Sequence, residues 1–74
     1  MKVIYDPEVD VLRIIFKKTN IFESDEDKPG VIIDYDRKGN RVGMEILNAS
    51  RRIESPQSVD YSVIQSDKKK RLIG

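Results

Sequence analysis

Residues 29–47 constrain the fold more than any other stretch of the chain. Val31, Ile33 and Tyr35 alternate with Ile32, Asp34 and Asp36, and further on Val42, Met44 and Ile46 alternate with Gly43, Glu45 and Leu47. Side chains that repeat every second residue fit a strand with one buried face and do not fit a helix. Between the two runs, Asp36 suits the first position of a type I turn. Gly39 suits the left-handed position that follows and forms a bulge. The stretch therefore predicts an antiparallel hairpin. Gly43 lies inside the second strand, where glycine marks a bulge or a close backbone approach. Here it is expected to make room for Tyr35 or Tyr5 across the ladder.

The rest of the chain can be placed around this hairpin. Lys2–Tyr5 reads as a first strand, and Asp6-Pro7-Glu8-Val9-Asp10 as a turn in which Pro7 presets the backbone. Val11–Phe16 is the second strand, with one face of Leu12, Ile14 and Phe16 and another of Val11, Arg13 and Ile15. A strand that is apolar on nearly both faces lies in a layered core or at a contact between chains. Lys17–Asn20 reads as a turn, Ile21–Ser24 as a short strand, and Asp25–Lys28 as a solvated acidic connection that Pro29-Gly30 redirects. Asn48 is placed to cap a short helical turn over 48–54. Val59, Tyr61 and Val63 alternate with polar residues, which predicts a last strand. The fold class is therefore mainly β: a small antiparallel β-meander with one short helical turn. The alternative is an α+β domain with a C-terminal helix over 55–68 on the sheet. Residues 1–66 form the single predicted domain, and 67–74 form a basic tail expected to be disordered.

Composition limits the chemistry. The chain has 74 residues, no cysteine and no histidine. No disulfide, thiolate zinc site or histidine base is available to it. A domain this small buries only about 60% of the surface its unfolded chain exposes. With 38% hydrophobic residues and no tryptophan, self-association is the remaining common way to add buried area. The net charge of +1 gives no field that favours nucleic acid or an acidic membrane. No apolar run reaches membrane-spanning length and no signal peptide opens the chain, so a cytoplasmic location without membrane contact is expected.

Several fixed-order motifs also carry a likeness: Tyr5-Asp6-Pro7-Glu8-Val9-Asp10-Val11-Leu12, Pro29-Gly30-Val31-Ile32-Ile33-Asp34-Tyr35-Asp36, Gly39, and Val42–Ser50. Together they resemble a family of short prokaryotic proteins catalogued as domain of unknown function 2283, over about residues 2–53 by pattern. Val9 stands where that family favours a smaller residue, and Arg13 where it favours an aromatic or apolar one. Both departures bear on packing. The family has no established activity. The resemblance implies, for some members, the smaller partner of a neighbouring toxin-like protein.

Four groups of residues are candidates for function. Val11, Leu12, Ile14, Ile15 and Phe16 form the predicted self-association surface of a homodimer. Arg51, Arg52, Lys68, Lys69, Lys70 and Arg71 are the basic residues that would contact nucleic acid in the alternative reading. No aromatic residues interleave with them, so that reading ranks second. Asp6, Glu8 and Asp10 superficially match a calcium loop, yet Val11 and Lys17 stand where its glycine and glutamate would fall. Turn capping explains these carboxylates more simply. Asp34, Asp36 and Glu45 fall on one strand face and its neighbour, where a polar solvent face is the simpler account. The chain is therefore expected to be no enzyme and to need no metal or cofactor. It is expected to act as an interaction module, a homo-oligomer or a partner-binding protein for which the resemblance implies a toxin-like partner to neutralise, or alternatively as an accessory nucleic-acid binder.

Overall fold

Five strands form one open antiparallel sheet in the computed structural model, which describes residues 1–65. They are β1 (Lys2–Asp6), β2 (Val11–Ile15), β3 (Glu23–Lys28), β4 (Val31–Tyr35) and β5 (Arg41–Leu47), followed by a helix α1 (Ala49–Arg52). The mainly-β antiparallel class with one short helical turn is what the sequence predicts. The strand order is β1-β2-β5-β4-β3. Tight turns join β1 to β2, β3 to β4 and β4 to β5, and pairing of β2 with β5 unites the two halves.

Residues 16–22 must therefore cross from one half to the other, and they do so around the β4–β5 turn. Phe16 and Lys17 both donate their N–H to the Val42 carbonyl, at 2.9 and 3.2 Å. Phe22 N–H donates to the Tyr35 carbonyl at 2.8 Å, and the Arg37 guanidinium sits 4.5 Å above the Phe22 ring. The predicted turn itself is present. Gly39 has φ +85° and its N–H donates to the Asp36 carbonyl at 3.0 Å. The Asp36 carboxylate takes the Lys38 and Asn40 N–H groups, both at 2.9 Å. Space around Gly39 is open, so only backbone strain opposes a side chain there. Gly39→Val should cost about 1–2 kcal/mol, and Lys38→Ala less than about 0.5 kcal/mol, by urea unfolding. Equal stability of the two variants would contradict this turn.

The register divides the sheet into two faces. On the first, Tyr5, Leu12, Ile46 and Val31 form one cross-strand row and Val3, Ile14, Met44 and Ile33 the next. On the second, Ile4, Arg13, Glu45 and Ile32 form a row beside Ile15, Gly43 and Asp34. The hydrophobic side chains buried among the described residues are Leu12, Val42 and Ala49.

Four expectations are corrected. The acidic run Asp25–Lys28 is the greater part of β3 and no mere connection. Pairing with β4 satisfies its backbone, and an edge strand tolerates full exposure of its charges. Val42 does not continue the alternation of Met44 and Ile46. The ladder shifts between Asp34 and Tyr35, which makes Val42 an extra residue in β5. The bulge turns it into a cavity of about 140 Å³ shared with Ile15, Ile21, Asp34 and Gly43. Asn48 takes the N-cap position of α1 with left-handed backbone (φ 53°) and makes no side-chain capping bond. Residues 59–64 form neither strand nor helix, nor does a helix form over 55–65. Val59, Tyr61, Val63 and Ile64 stay exposed, since β alternation alone supplies no hydrogen-bonded neighbour. The predicted tail and its Lys68–Arg71 run lie outside the described residues.

Candidate functional site: a carboxyl pair and an uncovered sheet surface

The most buried charged side chain is Asp34, 1% exposed in the middle of the second face. Ser24 Oγ on β3 donates to its Oδ1 at 2.6 Å. Gly43 on β5 leaves the space that the carboxylate occupies: a Cβ built at Gly43 would lie 3.3 Å from Asp34 Oδ2 and 2.9 Å from the Ile14 carbonyl oxygen. The close approach predicted at Gly43 is therefore real. It serves Asp34 and the β2 backbone, while Tyr5 lies on the opposite face.

Glu45 is the diagonal neighbour of Asp34 on β5. Burial pushes its carboxyl above the ordinary 4.5, and the Asp34 charge and a hydrogen bond to Asp34 add to this. Arg13, directly opposite on β2, pulls the other way. A carboxylate close by disfavours the charged form of Glu45. The folded state thus prefers Glu45 protonated. Its contribution to stability is present below pH 4.5 and is lost as the pH rises through the raised value. Glu45→Gln should remove that loss and leave the variant at least as stable as wild type at about pH 7. Urea midpoints across this range decide it, and a steeper fall in the variant would refute the raised Glu45 carboxyl. Asp36 takes no part, because the chain has already left β4 and its carboxylate is used by the turn. No group of three or more potential metal ligands occurs among the described residues.

Asp10 does what Asn48 was expected to do. It sits in the β1–β2 turn with φ 57°, a conformation Asp tolerates better than most residues. Its carbonyl accepts the Ala49 N–H at 3.0 Å. Its carboxylate accepts the Ser50 N–H at 2.9 Å, the Ser50 hydroxyl at 2.7 Å and the Tyr5 hydroxyl at 2.7 Å. The helix is capped from forty residues away. Asp6 accepts the Glu8 N–H at 2.9 Å, so two of the three calcium-loop candidates are engaged in internal hydrogen bonds.

A family model described as Protein of unknown function (DUF2283) matches residues 2–50. The chain belongs to the DUF2283 family. The match covers all five strands and ends at Ser50, the residue that Asp10 holds. No curated protein and no solved structure matches the chain. The DUF2283 description names no reaction and no ligand.

The predicted self-association residues of this DUF2283 chain divide between the two faces. Leu12 is buried and Ile14 half-buried on the first; Val11 and Ile15 are half-buried on the second, and Phe16 is exposed beyond the strand end. Much exposed apolar surface gathers at the β1 side of the sheet. On the second face Ile4, Val9 and Val11 line a groove of about 290 Å³ with Asp6, Arg13 and Glu45. On the first, Met1, Val3, Val59 and Tyr61 enclose about 320 Å³. Sequence reasoning missed Ile4, Val9 and Val3 as surface residues because a short alternating strand does not reveal that it lies at an edge. Of the basic candidates, Arg52 places its guanidinium over Gly30 and Arg51 lies within electrostatic reach of Asp10. Lys68, Lys69, Lys70 and Arg71 lie outside the described residues. No helix among the described residues is long and apolar enough to cross a membrane.

Proposed function

We propose that the protein is a small interaction module that self-associates as a homodimer through the β1–β2 side of its sheet. One observation carries this reading. Val3, Ile4, Val9 and Phe16 are exposed together on that side, and the described residues leave the groove lined by Ile4, Val9 and Val11 open. The β3 edge, by contrast, presents Glu23, Asp25, Glu26 and Asp27 to solvent. Exposed apolar surface on both faces of one sheet edge marks a contact site. A second copy also supplies the buried area that a chain this small lacks. The carboxyl pair does not compete as a catalytic centre. Ser24 donates to Asp34 within the sheet, and the cavity that Asp34 lines holds only about 140 Å³.

Light scattering of the full chain at micromolar concentration should give twice the monomer mass of 8.6 kDa. A mass of 8.6 kDa with folded-state circular dichroism would overturn the proposal.

A further inference from the structure

The sheet has two edges, and they differ in kind. β3 and β1 are the outermost strands, so each leaves one row of backbone N–H and carbonyl groups without a strand neighbour among the described residues. Such edges template pairing with another chain unless charges, bulges or cover prevent it. β3 is guarded. Its sequence Glu-Ser-Asp-Glu-Asp-Lys would set carboxylates against carboxylates in an antiparallel pairing with itself, and its ladder is already irregular between Glu26 and Lys28. Like charges directly opposite one another are destabilising. β1 has neither a charge block nor a bulge. It runs Lys2-Val3-Ile4-Tyr5-Asp6 in unbroken register with β2.

From the β1 sequence we infer that two copies join edge to edge, β1 against β1, antiparallel and centred on Ile4. The inference rests on the self-association reading and specifies its contact. In this register Lys2 faces Asp6 of the partner subunit, and Asp6 faces Lys2 of the partner subunit. Val3 meets the partner's Tyr5, and Ile4 meets the partner's Ile4. Each row joins chemically matched side chains, and a two-fold axis makes the contact self-complementary. A slip of one residue in either direction separates both opposite-charge pairs. It also carries Lys2 and Asp6 out of register with each other, so charge selects this one pairing. The Asp6 side chain can serve, because the hydrogen bond it accepts among the described residues, from the Glu8 N–H at 2.9 Å, uses only Oδ1. Val3 and Ile4 are each more than a third exposed in the single chain, and the pairing brings both against apolar partners. The apolar groove beside Ile4 and Val9 and the cavity beside Met1 and Val3 would then continue across the junction. The two five-stranded sheets become one.

The test uses the full chain in three forms. Lys2→Glu and Asp6→Lys each place like charges opposite one another twice per dimer, which should raise the dissociation constant about tenfold or more. An equimolar mixture of the two variants restores opposite charges at both positions and should recover the dimer mass in sedimentation. The natural chain has no cysteine, so Ile4→Cys offers one thiol at the proposed axis. Mild oxidation should yield a covalent dimer, whereas Asp25→Cys on the opposite edge should not. Absence of the Ile4→Cys cross-link in a chain that still sediments as a dimer would overturn the β1 pairing and leave self-association through another surface. Preferential cross-linking through Asp25→Cys would overturn it equally. A wild-type chain that sediments as a monomer would overturn both the pairing and the proposed function.

Discussion

Gly43→Val should destabilise the protein by about 3 kcal/mol or more, since overpacking a filled site costs roughly 1–3 kcal/mol before any polar group is displaced. The Cβ alone would stand 2.9 Å from the Ile14 carbonyl oxygen, a backbone atom fixed by the β2–β5 ladder. It would also crowd Asp34 Oδ2 at 3.3 Å. Asp34 is 1% exposed, so moving it breaks the part-buried hydrogen bond that Ser24 donates to it and leaves a desolvated carboxylate short of a partner. The two branches of valine add to this, and β5 is the central strand with a neighbour on each side. A domain of this size has about 4–11 kcal/mol of stability to lose. Gly43→Ala should show a smaller loss in the same direction. Urea unfolding followed by circular dichroism measures both, and a Gly43→Val chain with the wild-type midpoint would show that Asp34 and the Ile14 carbonyl can yield.

Asp10→Ala should lower the melting temperature more than any other substitution in the β1–β2 turn. The carboxylate joins three donors from two parts of the chain: the Ser50 N–H, the Ser50 hydroxyl and the Tyr5 hydroxyl. Hydrogen bonds from Ser50 and then Tyr5 hold its carboxyl below the ordinary 3.8. Asp10 therefore contributes stability that is present above pH 3.8 and is lost as the pH falls through its folded-state value. Asp10→Ala should flatten that acid limb as well as lower the plateau. Hydrogen exchange should show where the loss falls. The amides of Ser50 and Ile53, the latter bonded to the Ala49 carbonyl at 2.8 Å, should lose protection before those of β2 and β5. A four-residue helix has little stability of its own. Asp10→Asn keeps the left-handed backbone accessible and should fall between wild type and alanine. Asp6→Ala removes one local bond and should cost less. Unchanged exchange at Ser50 in Asp10→Ala would mean that α1 is held by packing of Ala49 alone.

Both substitutions test contacts between parts of the chain that are distant in sequence, and these were the contacts least legible beforehand. The two strands of the 31–47 hairpin, the turn glycine at position 39 and the β1–β2 hairpin were readable because each depends on neighbours in sequence. Alternation over five residues and the φ demands of a four-residue turn are local constraints. Gly43 was recognisable as a close approach, but the group approaching it was not. Asp34 reads as an ordinary outward-facing carboxylate until Ser24 of β3 and the bare Gly43 of β5 are brought to either side of it. The acidic run at 25–28 reads as a solvated connection because its composition alone does not show that β4 offers it a ladder.

The sequence by itself therefore determined that the chain would be an antiparallel β protein with a hairpin centred on Gly39, and that it could hold neither a disulfide nor a histidine or thiolate site. Only the tertiary structure decided that β5 lies between β2 and β4, that Val42 leaves the strand alternation, that Asp10 caps a helix forty residues on, and that β1 ends the sheet unguarded. The division has a physical cause. Side-chain periodicity and turn geometry act over a few residues and leave a mark at each position. Pairing between distant strands depends on loop closure and on how well whole surfaces fit, and no single position records it.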